Sequence, residues 1–554
     1  MKHISSKTKL FWLILCIGSI LFASWLMFHT FSYDGKNSSM LIAPKAWSDF
    51  GAHIPLIRSF SFGNNWPPES PLFPGEPIRY HFLFYFLVGV LEKVGLRIDW
   101  ALNIPSIIGL AGLMMGIAVI AQKLFHDKRV TILSLLFFLL NGSLSFIRFF
   151  KLHPVSITTL KDIVTNEFFP SFAPWGQGEI AAFWNLNIYT NQRHLAFAFA
   201  FALLFIGILI YIEKMPLKKQ IFFLIPEVFI LALMPYFHQP ILVILAVFIA
   251  CYFILFPRIR VLLLLTGAVG AMYIFPQLFP LISGSKTIQW HPGYLISPPL
   301  TPLHILWYWF QNLGLHVILI PLGWILAPAR IKKITIPLLF VFIIPNLFQF
   351  SVDMINNHKF FNFYLILGNT LSAYFLIKII DFSKKFHIFI RQLVTLLICL
   401  CVFILTLSGI IDFFPIVNDR YMSLLDIPKN KDVEFFITKT KPTDVILNST
   451  WFYHPASLAG RKIFAGYSYF TWSYGYDQTK RENMQKKIYR AQTKQIACRL
   501  AQQYNITHIE LARNPEQFLQ PNRMLFQQEF IPVYRNPESG LTVYDTNASC
   551  IQYE

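Results

Sequence analysis

The chain has 554 residues, of which 55% are hydrophobic, 17% aromatic and only 14% charged. No soluble domain of that length carries so few charges, so a water-soluble globular enzyme is excluded. The formal net charge of +19 does not point to nucleic acid. The cations sit in short links between apolar runs, where they act as a topology signal.

Apolar runs of spanning length recur from Leu10 to Phe414. The first, residues 10–28, follows Lys2, Lys7 and Lys9. Its length, and the lack of a small-x-small site after Ala23, favour an uncleaved anchor over a signal peptide. Basic links follow at Lys123, Lys128 and Arg129, then at Lys214, Lys218 and Lys219, then at Arg258 and Arg260. Further on come Arg330, Lys332 and Lys333, then Lys378, Lys384, Lys385 and Arg391. These links place the N-terminus in the cytoplasm.

Residues 32–103 form a long first outer loop, broken by Pro67, Pro68, Pro71, Pro74 and Pro77. The apolar stretch 80–91 near its end is expected to be an interfacial helix, because a crossing there would turn the Lys123 link outward. Spans are then expected at 104–124, 130–149, 194–212, 221–236, 241–256, 261–281, 303–327, 334–350, 360–380 and 389–412. The second outer loop, 150–192, carries Asp162, Glu167, Glu179 and a Pro/Trp/Gly stretch at 170–178. The expectation is a polytopic α-helical membrane protein of about eleven spans plus the interfacial helix.

From Phe413 the composition turns polar. Helices are expected at 432–440 and 477–504, and strands at 444–448, 506–512, 528–534 and 541–545. A small-residue turn at 458–461 leads into 463–465. The expected division is therefore a membrane domain at 1–412 and an extracytoplasmic α/β domain at 413–554. Cys498 and Cys550 fall in that second part, where an oxidising compartment permits a disulfide that spacing alone does not decide. Cys16, Cys251, Cys399 and Cys401 lie in apolar runs and read as small core residues.

The polar residues gather on one side. Asp49 and His53, in the block Trp47-Ser-Asp-Phe-Gly-Ala-His53, are four apart and share a helical face. The other outer links hold Arg58; Arg79, Tyr80 and His81; Arg193 and His194; His238; His291; and His358 with Lys359. Cations and imidazoles beside an acid suit a phosphate-bearing lipid, because the cations bind the phosphate while the acid activates a hydroxyl. Plainer roles compete. Asp49 and His53 can cap an interfacial helix, and Arg193 can snorkel to headgroups. No Walker loop, dinucleotide fingerprint, serine elbow or zinc spacing is present. ATP-driven transport by this chain alone is thereby disfavoured.

The layout resembles the GT-C superfamily of membrane glycosyltransferases, which use polyprenyl-phosphate-linked sugars. An uncleaved first span precedes a long outer loop with an early acid, then an interfacial helix, many spans and an outer C-terminal domain. Asp49-Phe-Gly-Ala-His53 with Tyr80-His81-Phe82, Asn191-Gln-Arg-His194, Asn357-His-Lys-Phe-Phe-Asn362 and Ala459-Gly-Arg-Lys-Ile-Phe-Ala-Gly466 resemble a bacterial branch of it.

The resemblance implies inverting transfer from a polyprenyl-phosphate sugar to an acceptor hydroxyl, on the outer face of a bacterial inner membrane. Asp49 would be the base, or would orient the acceptor or a metal, with His53 sharing the load. Arg193, His194, His358 and Lys359 would hold the donor phosphate, and Arg58, Arg79, His81 and His238 join that phosphate-facing set. The usual acidic pair is absent, since Phe50 follows Asp49; Glu167 or Glu179 would complete the site. A groove between spans would take the polyprenyl tail. Trp451, Tyr453, Tyr467, Tyr469, Trp472 and Tyr474 would stack on sugars or build the core. A divalent metal stays open as cofactor, as does the acceptor. A lipid-linked sugar flippase and a non-catalytic envelope assembly protein stay open as other readings.

Overall fold

The computed structural model describes residues 6–171, 180–283 and 288–550. Among them, seven helices are long and apolar enough to cross a membrane. They are Ser6–Thr30, Ile98–Phe125, Arg193–Ile212, Leu217–Phe237, Pro257–Phe275, Met354–Ser383 and Ile388–Val417. The pair Pro302–Leu313 and His316–Leu326 makes an eighth if counted as one span.

This is fewer than the expected eleven or so, and the differences have local causes. The stretch expected as one span at 130–149 is two helices, Lys128–Leu139 and Ser145–Leu152. Between them Asn141 Oδ1 accepts from the Ser143 N–H at 3.2 Å and its hydroxyl at 2.7 Å. That local capture competes with helix continuation. The stretch 303–327 bends by 92° between its two helices. Gly314 sits at the bend with φ +56°, and a Cβ there would lie 2.0 Å from the Gly142 carbonyl oxygen. The stretch 334–350 is divided at Pro337 into Ala329–Thr335 and Pro337–Leu347. Gln239–Leu255 has 17 residues, a rise of about 26 Å, just short of the hydrocarbon thickness.

The chain forms two compact units. The first comprises Met1–Thr30 and Pro105–Arg420 and holds the apolar helices. The second comprises Phe31–Ile104 and Tyr421–Glu554. The first outer loop, expected with the spans, thus groups with the C-terminal residues. The physical reason is an antiparallel three-stranded sheet in the order Phe31–Asp34, Ser39–Ile42, Met422–Leu425. It places Ser39 opposite Leu425 and Ile42 opposite Met422.

The second unit also contains a five-stranded mixed sheet. Its order is Lys462–Ile463, Val445–Leu447, His508–Leu511, Leu541–Asp545, Ile531–Asn536. The first three strands run parallel and the last two join antiparallel. Leu447, Phe464, Ile488, Tyr489, Ile509 and Phe526 build its core. The helix expected over 477–504 is two, Gln478–Tyr489 and Lys494–Gln503, because the Thr493 side chain caps the second by accepting from Ile496 N–H. The interfacial stretch is the 11-residue helix Leu83–Lys93.

Cys498 and Cys550 form a disulfide between two helices of this unit, with a Cα–Cα distance of 5.6 Å. Replacing Cys498 with Ser is expected to cost the unit about 2–5 kcal/mol. Thermal unfolding of the full chain, with and without reductant, checks this: the wild type shifts on reduction and the variant does not.

Candidate functional site

In the second unit the site is built on the helix Pro44–Ser61. Pro44 at its first turn sets a helical φ without losing a needed donor. Asp49 is half-buried on this helix and His53 fully buried one turn on. Gly51 between them lets Phe452 pack close, since a Cβ there would lie 2.4 Å from its ring. The Tyr453 hydroxyl donates to the Trp47 carbonyl.

Tyrosines surround this acid. The His53 ring stacks on Tyr85 at 4.6 Å and on Tyr80 at 6.2 Å. Tyr80 lies against Tyr474 at 4.6 Å and against His81 at 3.7 Å. Burial pushes the phenols of Tyr80 and Tyr453 up, and the nearby Asp49 charge pushes them further. Burial also raises Tyr85 and Tyr474, with Tyr80 and Asp49 adding to it. All four therefore stay O–H at neutral pH.

Two cations of this unit are engaged by protein groups. Arg58 is 2% exposed, with Nε 3.1 Å from Glu92 Oε1 and Nη2 2.7 Å from Asp426 Oδ2. Burial alone would lower its pKa, but Glu92 and Asp426 together hold the guanidinium above its ordinary value. Arg79 pairs with Glu76 at 3.0 Å, donates to the Gly475 carbonyl and stacks over Tyr476. Tyr469 and Trp472 are exposed, with rings 6.0 Å apart.

In the first unit a basic cluster forms at helix ends. Arg193 opens the helix Arg193–Ile212 and is fully buried. Its Nε donates to the Thr190 carbonyl at 2.7 Å, and Nη2 to Thr30 Oγ1 at 2.6 Å. His194 stacks on His238 at 5.4 Å, both fully buried. Lys359, 5% exposed, acts electrostatically on both His238 and His358. Its Nζ donates to Asn356 Oδ1 at 3.0 Å, while His358 Nδ1 meets Asn362 Nδ2 at 3.0 Å. Thus Arg193, His194, His238, His358 and Lys359, drawn from links far apart in sequence, belong to one unit. His291 is exposed, as is Glu167. Glu179 lies outside the described residues.

An apolar groove of about 550 Å³ runs between Ile98–Phe125 and Arg193–Ile212. Gly109, Gly112 and Gly116 line one wall, and Phe197, Leu204 and Tyr211 the other. From Phe197 to Tyr211 the helix rises about 21 Å. One helix therefore begins at a buried guanidinium and continues as the wall of a hydrocarbon-lined groove.

No family model matches the chain, and no curated protein matches it by sequence. Solved structures do. The oligosaccharyltransferase of Archaeoglobus fulgidus in its apo form is similar over 92% of this chain and 70% of its own, with a TM-score of 0.51 and 12% identity. The chain shares the fold of that oligosaccharyltransferase. ArnT from Cupriavidus metallidurans in the apo state is similar over 98% of this chain and 99% of its own, with a TM-score of 0.48 and 10% identity.

Several polar residues carry no signal in a linear reading. Asp426, the partner of Arg58, sits in a mixed polar stretch. Tyr453 and Tyr474 stand out only as two aromatics among many. Asp412, with Asn141 and Asn185 as hydrogen-bond donors, lies near the end of an apolar helix. The one legible clue was the polar triplet Asn141-Gly142-Ser143 inside a hydrophobic run.

Proposed function

We propose that the protein transfers a sugar, with inversion, from a polyprenyl-phosphate donor to an acceptor hydroxyl on the outer face of a bacterial inner membrane. The observation that carries this reading is the helix Arg193–Ile212. Its buried basic head and apolar groove match the amphiphilic form of a phosphate on a long hydrocarbon tail. The GT-C fold supports the same reaction class.

The roles follow from the chemistry. A phosphate leaving group is already a weak base, so no strong acid is needed; cations must stabilise the charge that develops on it. Arg193 and Lys359 supply them, with the imidazole N–H groups of His194, His238 and His358 beside them. Asp49 takes the proton of the acceptor hydroxyl, and His53 and the caged phenols orient it. Displacement in one step inverts the sugar carbon. Tyr469 and Trp472 offer exposed rings to an acceptor sugar. The disulfide of the second unit supports an oxidising, extracytoplasmic side for it.

The test is turnover of radiolabelled polyprenyl-phosphate sugars by the purified protein in lipid. Label appearing in an acceptor supports the reading, and no turnover with any donor overturns it. Lys359→Met is expected to weaken binding of polyprenyl phosphate about 10- to 100-fold, the loss of one charge-assisted hydrogen bond to phosphate. Equilibrium binding of the labelled lipid checks it. The flippase reading draws on the broken pair Pro302–Leu313 and His316–Leu326. Transbilayer movement of the lipid-sugar without transfer would favour it.

A further inference from the structure

Asp412 is a buried acid that the proposed chemistry does not use. It is 2% exposed on the apolar helix Ile388–Val417. A carboxylate there is costly, and such residues are retained for a role. Its Oδ2 accepts from Asn141 Nδ2 at 2.8 Å and from Asn185 Nδ2 at 3.2 Å. Its Oδ1 has no hydrogen-bond partner among the described residues. The group therefore receives two amide donors and no cation. An apolar side chain would pack there at lower cost, so what the carboxylate holds in place is the informative part.

The two amides lead to different places. Asn141 holds the break between Lys128–Leu139 and Ser145–Leu152, where Ser408 of the Asp412 helix also donates to the Ser143 carbonyl. Asn185 begins a relay. Its Oδ1 accepts from Asn187 N–H at 2.9 Å. The Asn187 carbonyl accepts from the Thr190 hydroxyl at 2.8 Å. The Thr190 carbonyl accepts from Arg193 Nε at 2.7 Å. Asn185, Asn187, Thr190 and Arg193 are all buried, so water does not compete for these bonds. The relay ends at the Arg193 guanidinium.

We infer that Asp412 is a positioning residue: through Asn185 and the turn Asn187–Asn191 it sets where the Arg193 guanidinium points. This rests on the proposed donor-phosphate role of Arg193. The carboxylate acts as a hydrogen-bond acceptor rather than as a charge. Both donors reach one oxygen, so an amide with its oxygen in that place keeps both bonds, whereas alanine keeps neither.

The experiment compares full-length wild type, Asp412→Asn and Asp412→Ala in lipid nanodiscs, with two readouts. Hydrogen–deuterium exchange over residues 185–193 is expected to rise at least tenfold in the alanine variant and to stay within threefold of wild type in the asparagine variant. Binding of undecaprenyl phosphate is expected to weaken at least tenfold in the alanine variant alone, with KM for the lipid-sugar following it and kcat within threefold. Unchanged exchange in the alanine variant overturns the inference, as does raised exchange with unchanged lipid binding. Equal losses in both variants also overturn it, since the charge would then be what matters. If the wild type binds no polyprenyl phosphate, the donor reading fails, and exchange over 185–193 alone decides whether Asp412 positions Arg193.

Discussion

Replacing Asp49 with Asn is expected to lower kcat about 10²- to 10⁴-fold, the usual contribution of a general base. Protein level and binding of polyprenyl phosphate are expected to stay at the wild-type values. The amide keeps the shape of the carboxylate, but it cannot take a proton. The phenols themselves are poor substitutes, because burial and the acid's own charge hold Tyr80 and Tyr453 in the O–H form. His53 is packed between rings, stacked on Tyr85 and Tyr80. Single-turnover transfer from a radiolabelled lipid-sugar measures the chemical step directly. Full activity in the variant would remove Asp49 from the mechanism and put the base elsewhere.

The second large effect falls on stability. Arg58→Met is expected to destabilise the second unit by about 3–5 kcal/mol, the cost of leaving buried charges without their partner. One guanidinium faces two carboxylates, Glu92 and Asp426, so removing it strands two anions in the interior. The reverse change is mild. Glu92→Gln leaves a one-to-one pair of Arg58 with Asp426, and the Ser61 hydroxyl that donates to Glu92 Oε2 at 2.6 Å keeps an acceptor. Burial pushes the Glu92 carboxyl up, while Arg58 and Ser61 pull it back without cancelling the shift. Because its folded pKa is raised, the stability linked to Glu92 is present in acid and lost as pH rises through that folded pKa. The difference in thermal stability between wild type and Glu92→Gln should therefore shift in favour of the variant toward alkaline pH. Thermal unfolding of the solubilised chain at several pH values measures both substitutions. An Arg58→Met variant as stable as wild type would show that the cluster is relaxed by solvent.

The apolar runs made the membrane class and the ends of most long helices readable, since hydropathy reports burial in lipid residue by residue. The four-residue spacing of Asp49 and His53 was readable for the same local reason, and both lie on Pro44–Ser61. The strand Leu541–Asp545 coincides with its expected bounds. What a linear pattern misses is pairing at a distance. The break at Asn141 depends on a side chain turning back on its own backbone, inside a run whose hydropathy continues. The tyrosines around Asp49 come from positions some 30 and 400 residues away along the chain, and no periodicity marks such a meeting. The grouping of residues 31–104 with 421–554 likewise rests on strand partners that are unremarkable in isolation.

The three-stranded sheet sets an order of events for synthesis. Arg58 and Asp426 are 368 residues apart, and at ordinary ribosomal speed that interval takes roughly 20–70 s. For that time the Ser39–Ile42 strand lacks its Met422–Leu425 neighbour, and Arg58 has only Glu92 to answer it. The helix bearing Asp49 emerges early, while Phe452, Tyr453 and Tyr474 emerge near the end. A chain that stops short of residue 421 therefore carries the acid without its cage and an unpaired strand edge. Quality control of this protein falls to whatever guards that edge until the last quarter of the chain arrives.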